Sequence, residues 1–195
     1  MPQDYYAVPN ISFDEAIVYS ITKFGGRGDG KFDNTNAISY ASQVINAEGG
    51  GYLFLPPGVY LTTPQSLFNN VVFVGNGRNN TTIQLINGSN GDLFSGQINQ
   101  INLSAASGVG PIGTLFNFGF MHLTLDGNLA NQSGTSYPLR FYGYSYILHD
   151  VIIKNGLSGG ILSDWNGGGG PITPDDMEAQ VSNIKVHNNN GIGII

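Results

Sequence analysis

The sequence predicts an all-β solenoid of stacked parallel strands preceded by one helix, and three observations carry that prediction. First, three segments lie over one another in the same polarity: His122-Leu123-Thr124-Leu125-Asp126-Gly127-Asn128, Asp150-Val151-Ile152-Ile153-Lys154-Asn155-Gly156 and Asn183-Ile184-Lys185-Val186-His187-Asn188-Asn189. Each reads polar, three residues with apolar ends, polar, then a Gly/Asn turn. The segments fall about 28 and 33 residues apart, as when coil loops vary in length while strands keep register. Second, the chain beyond Gly49 consists of short β-rich runs broken by Gly and Asn, beginning with Tyr52-Leu53-Phe54-Leu55 and Val71-Val72-Phe73-Val74. Third, helical spacing occurs once, where Ala37, Ile38, Ala41, Val44 and Ile45 recur on one face.

Taken in order, Met1 to Ser20 reads as an arm with one short turn around Asp14 to Tyr19, and residues 21–195 as one β domain. Ile21-Thr22-Lys23-Phe24 reads as a short strand, stopped by a tight turn over Gly25-Gly26-Arg27-Gly28-Asp29-Gly30, whose four glycines open backbone angles closed to other residues. The helix spans Asp33 to Glu48, with an N-cap at Asp33 or Asn34 and Gly49 closing its C-terminus. A hairpin meander is the rival arrangement, because Asn-Gly at 87–88 and 155–156 also signals hairpins. The common polarity of the repeats favours parallel stacking. The apolar end Ile192-Gly193-Ile194-Ile195 has no cap, so the chain is expected to be part of a longer one or to bury that end in an oligomer.

Length and composition bound the function. A chain of 195 residues suits one domain with a sizeable core. Charged residues are 10% of the chain, glycines number 29, and the net charge is -6 with Lys and Arg scattered singly. No basic stripe is available for a phosphate backbone, so nucleic acid is not an expected partner. Without cysteine there is no disulfide, thiol nucleophile or Cys-based metal site, and three isolated His give no zinc spacing. No metal and no cofactor are expected. No apolar run reaches the roughly 20 residues of a membrane span, and the first residues lack a signal-peptide pattern, so membrane insertion is not expected.

Lys23-Phe24-Gly25, Gly28-Asp29-Gly30 and Asp33-Asn34-Thr35 followed by Ala37-Ile38 resemble the N-terminal signature of the pectate-lyase-like right-handed parallel β-helix superfamily. The branch they are most similar to holds phage tailspikes, pre-neck appendages and polysaccharide depolymerases. The run from Gly49 through Leu55-Pro56-Pro57-Gly58-Val59-Tyr60 resembles the first coil of that family. Gly26 stands where alanine is commoner, and Asn34 replaces the second aspartate of the usual Asp-Asp-Thr. The resemblance implies a right-handed solenoid whose N-terminal end the helix caps, and a trimer as the likeliest assembly by family habit. It implies acidic or complex polysaccharides as partners, cut by lyase or hydrolase chemistry. The paired-aspartate and Gly-His-Gly motifs of the polygalacturonase branch are absent, so no catalytic residue carries over.

Stacked coils lie about 4.8 Å apart, so the repeats align two polar columns: His122, Asp150, Asn183, and Asp126, Lys154, His187. Asp126 beside Lys154 reads as a lyase-like pair or as an ion-pair ladder, and His122 beside Asp150 as an acid-base pair or as an ordinary satisfied pair. Asp126 and Asp150, at opposite ends of their strands, come out about 13 Å apart, beyond the roughly 5 to 9.5 Å of a glycosidase pair. A hydrolase would therefore need a loop carboxylate. The insertion from Ser163 to Ala179 offers Asp164, Asp175, Asp176 and Glu178 as candidate acids and bases, with Trp165 as a platform for a sugar ring. Tyr142, Tyr144 and Tyr146 read as one face of a strand, outward as a sugar-stacking strip or inward as core, and Arg140 is a candidate for a carboxylated sugar. These features give three functional classes. The first is a virion-associated tailspike that binds and cleaves a cell-surface polysaccharide. The second is a secreted bacterial polysaccharide lyase or hydrolase. The third is a non-catalytic carbohydrate-binding or structural β-helix. Each places the protein on the virion or outside the cell.

Overall fold

The computed structural model of the chain describes residues 17–96, 115–141, 143–163 and 179–194. Among these, every strand pairing is parallel. The chain passes repeatedly through the same stations. A first series holds β1 (Val18–Ser20), β3 (Gly51–Leu55), β6 (Val71–Gly75), the start of β10 (Gly119–Asp126), the start of β13 (Ile147–Lys154) and β15 (Gln180–Ser182). A second holds β2 (Asp29–Asp33), β4 (Gly58–Thr62), β7 (Thr81–Leu85), the later halves of β10 and β13, and β16 (Lys185–His187). A third holds β5 (Gln65–Ser66), β8 (Phe94–Ser95), β11 (Leu139–Phe141) and β14 (Ile161–Ser163), and a short pair joins β9 (Leu115–Phe116) to β12 (Gly143–Tyr144). The meander is excluded: Leu123 pairs with Val151, Thr124 with Ile152 and Leu125 with Ile153, all in parallel register.

The apolar residues of each repeat point inward and stack coil upon coil. One column runs Leu53, Phe73, Phe120, Leu148, and a second Tyr60, Ile83, Leu125, Ile153, Val186. Phe73 stacks on Phe120 at 5.2 Å between ring centroids, and Phe94 meets both rings edge-on at 4.9 and 4.8 Å. Each fully buried ring or branched chain is worth about 1.5–3 kcal/mol, and this continuous filling is what a coil with no second face of its own requires.

The polar residue that opens each repeat has a conformational cause. His122, Asp150 and Asn183 have φ of 54°, 54° and 51°, the left-handed region in which His, Asp and Asn are enriched among residues with a Cβ. They form the corner at which β10 and β13 turn from the first series of strands into the second. The sequence pattern therefore records a bend.

Helix α1 (Thr35–Ala47) buries Ala37, Ile38, Ala41 and Ile45 and packs against β3, β5 and β6. Gly49, at φ 97°, receives the chain at its end. Asn34 stands at the N-cap, but its fully buried side chain faces the preceding turn: Oδ1 accepts from the Arg27 amide at 2.7 Å, and Nδ2 donates to the Arg27 and Phe32 carbonyls at 3.1 and 2.9 Å. The two halves of the N-terminal signature also meet. Val59 donates its amide to the Gly28 carbonyl at 3.0 Å, and a Cβ on Gly58 would lie 2.2 Å from that same oxygen. Glycine is required there by contact as well as by its φ of 149°.

Two local expectations are corrected. Ile21–Phe24 is a 3-10 helix rather than a strand, because Gly25 at φ 83° turns its amide back onto Thr22 while Ile21 plugs the core. Among the described residues the parallel ladder begins in β1, where Val18 pairs with Tyr52, so Val18 to Ser20 are strand within the expected arm, while Asp14 to Ala16 lie outside the described residues. No helix among the described residues is long and apolar enough to cross a membrane.

Candidate functional site

On the third sheet, the described residues nearest the sequence-predicted site segments are Arg140 on β11 and the ends of β11 and β14. In β11, Leu139 and Phe141 are buried and Arg140 between them points outward, aligned with Ser95 on β8 and Leu162 on β14. Phe141 is paired with Ser163. The ends of β11 and β14 are therefore neighbours, and Ser95 on β8 is aligned with Arg140 on the other side. Ser163, at the end of β14, and Ala179, ahead of β15, flank the expected loop. Asp164, Trp165, Asp175, Asp176, Glu178 and Tyr142 themselves lie outside the described residues, and Tyr144 contributes its backbone to β12.

Arg140 faces a carboxylate that the sequence did not single out. Arg140 Nη1 lies 3.8 Å from Asp92 Oδ2, and Asp92 Oδ1 accepts the Tyr137 amide at 2.8 Å. The Asp92 side chain is 14% exposed against 33% for Arg140. Burial pushes the Asp92 carboxyl above its ordinary value, against the downward pull of the Tyr137 amide and of Arg140. Asp92 sits in a Ser-Asn-Gly-Asp run that carries no periodic or motif signal, which is why only the coil stacking reveals it.

The two predicted columns form as aligned. Asp126 pairs with Lys154, and Lys154 with His187. The nearly buried Asp126 carboxylate takes Lys154 Nζ at 3.3 Å, the Asn128 amide at 2.9 Å and Asn155 Nδ2 at 2.8 Å. Gln84 Nε2 adds a fourth donor at 3.4 Å, so the carboxylate is occupied as a ladder rung. At the corner, Asp150 holds His122 Nδ1 at 3.1 Å, Asn183 Nδ2 at 2.7 Å and Arg78 Nε at 3.3 Å. Arg78, which the sequence reading passed over, reaches from the turn before β7 across the later coils and also donates to the Asn183 carbonyl at 3.1 Å. His149 lies edge-on to His122 at 5.1 Å and meets Ser182 Oγ at 2.8 Å. This cluster ties four coils together at the bend.

The chain turns after β12, where Ser145 has φ 51°, and Tyr146 packs inward on Phe141 and Phe118 at 4.8 and 5.6 Å. Tyr146 is therefore partly buried against the core, on the far side of the corner at Ser145.

The family model for rhamnogalacturonase A/epimerase, pectate lyase-like proteins matches residues 18–118. Mannuronan C5-epimerase AlgE3 of Azotobacter vinelandii is 36% identical over 133 residues, covering 64% of this chain and 7% of that protein. Alginate lyase 7 of the same organism is 32% identical over 124 residues, 60% of this chain and 13% of that protein. Among solved structures, the A-module of A. vinelandii mannuronan C-5 epimerase AlgE4 superposes with a TM-score of 0.67 at 21% identity, over 90% of this chain and 50% of that one. That likeness speaks for the fold, and the chain spans half of the module or less of these longer relatives. With the family model covering more than half of the chain, and parallel coils running through the same residues, the chain belongs to the rhamnogalacturonase A/epimerase, pectate-lyase-like family.

Proposed function

We propose that the protein modifies an acidic polysaccharide built of uronic sugars, at the face where Arg140 lies beside the roots of segments 142–146 and 164–178. The observation that carries this reading is the identity of 32% to an alginate lyase over 60% of the chain and of 36% to a mannuronan C5-epimerase over 64% of it. Both names denote chemistry at one carbon. Epimerisation at C5 removes the proton next to the carboxyl group and returns a proton to the opposite face. A lyase removes the same proton, and the electron pair forms the C4–C5 double bond while the glycosidic oxygen leaves C4 and takes a proton. Either route needs a cation over the sugar carboxylate, a base and an acid. In this reading Arg140 covers the carboxylate, Trp165 with Tyr142 and Tyr144 supports the sugar rings, and Asp164, Asp175, Asp176 or Glu178 moves the proton.

The same proposal includes a right-handed coil, with α1 closing its first turn against water, and placement outside the cell or on a virion. Resemblance of the Ile21 to Ile38 signature to tailspikes supports a virion-associated spike, assembled as a trimer. The A. vinelandii relatives support the second reading, a secreted enzyme. The full-length protein, incubated with polymannuronate and a panel of neutral and acidic glycans, is expected to exchange C5 protons with deuterated solvent or to release unsaturated ends from the acidic polymers only. Binding without either product would make it a carbohydrate-binding β-helix, and no interaction with any glycan would overturn the reading.

A further inference from the structure

We propose that Met121, His122 and His149 form a binding site for one copper(I) ion at the corner where β10 and β13 bend. The site is independent of the polysaccharide reading. Spacing along the chain gives no metal motif, but the stacking of β10 on β13 brings together two histidines that stand 27 residues apart.

Strand alternation turns the donors outward. Phe120 and Leu148 are buried on adjacent strands, so Met121 and His149, the next residue on each, face the outer surface and stand opposite one another in the parallel register. His122 follows Met121 at the corner, and its ring lies edge-on to that of His149, with 5.1 Å between centroids and 88° between planes. An ion about 2.0–2.1 Å from one nitrogen of each imidazole sits about 3 Å from each ring centre, and a tetrahedral angle at the ion then puts the centres about 5 Å apart. The observed spacing is that of two rings able to share an ion.

Both rings keep one nitrogen for the ion. His122 Nδ1 lies 3.1 Å from Asp150 Oδ2; a carboxylate only accepts, so Nδ1 carries the hydrogen and Nε2 presents its lone pair. His149 Nδ1 meets Ser182 Oγ at 2.8 Å, a hydroxyl able to accept in the same way. A partner on one nitrogen is the support that orients metal-binding imidazoles. Arg78 Nε and Asn183 Nδ2 take Asp150 Oδ1 at 3.3 and 2.7 Å, so the guanidinium engages the carboxylate oxygen that His122 does not use. Among the described residues no three His, Cys, Asp or Glu side chains gather as a metal set, and the third donor is the Met121 thioether. Imidazole suits copper and zinc alike, whereas a thioether selects copper(I).

The test titrates the intact protein with copper(I) alone, kept reduced by ascorbate, against a chromogenic chelator. One ion per chain is expected, with a rise in melting temperature because the ion bridges β10 and β13 only in the folded state. Proton NMR of the wild type should show shifts in the ring signals of two of the three histidines and in the methyl signal of one of the three methionines. His122→Asn, which keeps a residue suited to the φ of 54°, and His149→Gln should each abolish binding. Ser182→Ala, which removes only the outer partner of His149, should weaken it about 10- to 100-fold. Met121→Leu should lose the preference for copper(I) over zinc. No stoichiometric binding by the wild type, NMR shifts confined to other residues, or binding left unchanged in His149→Gln would overturn the site, and an unchanged metal preference in Met121→Leu would overturn the thioether's part in it. The wild-type titration and spectra depend on no variant folding correctly.

Discussion

Asp126 on β10 and Lys154 on β13 sit on the same rung of adjacent parallel strands, with Lys154 Nζ 3.3 Å from Asp126 Oδ2. The pair is asymmetric: the carboxylate is 6% exposed and the lysine 31%. Most of the energy of the rung therefore lies in keeping the buried acid satisfied. Asp126→Ala strands the Asn128 and Asn155 donors and is expected to cost about 2–4 kcal/mol. Lys154→Ala, which leaves those donors in place, should cost about 1 kcal/mol or less. Urea unfolding of both variants checks the difference, and neither should alter the reaction on a glycan beyond the loss of folded protein.

At the corner, backbone conformation and charge separate cleanly by substitution. Asp150→Asn retains a residue comfortable at positive φ and should lose only the charge contacts to Arg78 and His122, about 1 kcal/mol. Asp150→Val adds the penalty of a β-branched residue in the left-handed region, about 1–2 kcal/mol more. Thermal unfolding of the two variants should rank them in that order.

The parallel register of the coils was legible because each repeat carries its own marker: a residue tolerant of positive φ at the corner, then apolar ends that must point inward. His122, Asp150 and Asn183 gave the alignment that the strand pairs reproduce residue by residue. Helix α1 was legible from one apolar face. What was not legible depends on contacts between coils. Asp92 and Arg140 are 48 residues apart in sequence and meet only because β8 and β11 stack. Arg78 finds Asp150 across a gap of 72 residues. Ile21–Phe24 has strand-like composition, yet the αL turn at Gly25 and the pull of Ile21 into the core win over propensity. Tyr146 turned inward for the same kind of reason, a corner that local period cannot foresee.

Asp92 makes a stability prediction independent of any ligand. Its folded-state carboxyl is held above the ordinary value of 3.8, so the native protein binds this proton more tightly than the unfolded chain does. Its contribution to stability is complete below the unfolded value and is lost as pH rises from there through the raised native value. Subtracting the unfolding free energies of Asp92→Asn from those of the wild type across that range should show a decline of the wild type relative to the variant with increasing pH.

We propose that Trp165 meets the sugar and not the core. Trp165→Ala should weaken oligosaccharide binding by about 1 kcal/mol or more, the scale of a lost aromatic contact, with the melting temperature nearly unchanged. Calorimetric binding beside a thermal melt distinguishes the two roles, since a large fall in melting temperature with intact affinity would place the ring in the core.

The most direct test of the account is proton NMR of polymannuronate incubated with the full-length protein in deuterated water. Chemistry at C5 predicts loss of the C5 proton signal, accompanied either by a change in the sugar configuration or by unsaturated ends, and loss of both in Arg140→Gln. Cleavage that yields only saturated reducing ends, with C5 protons retained, would contradict it.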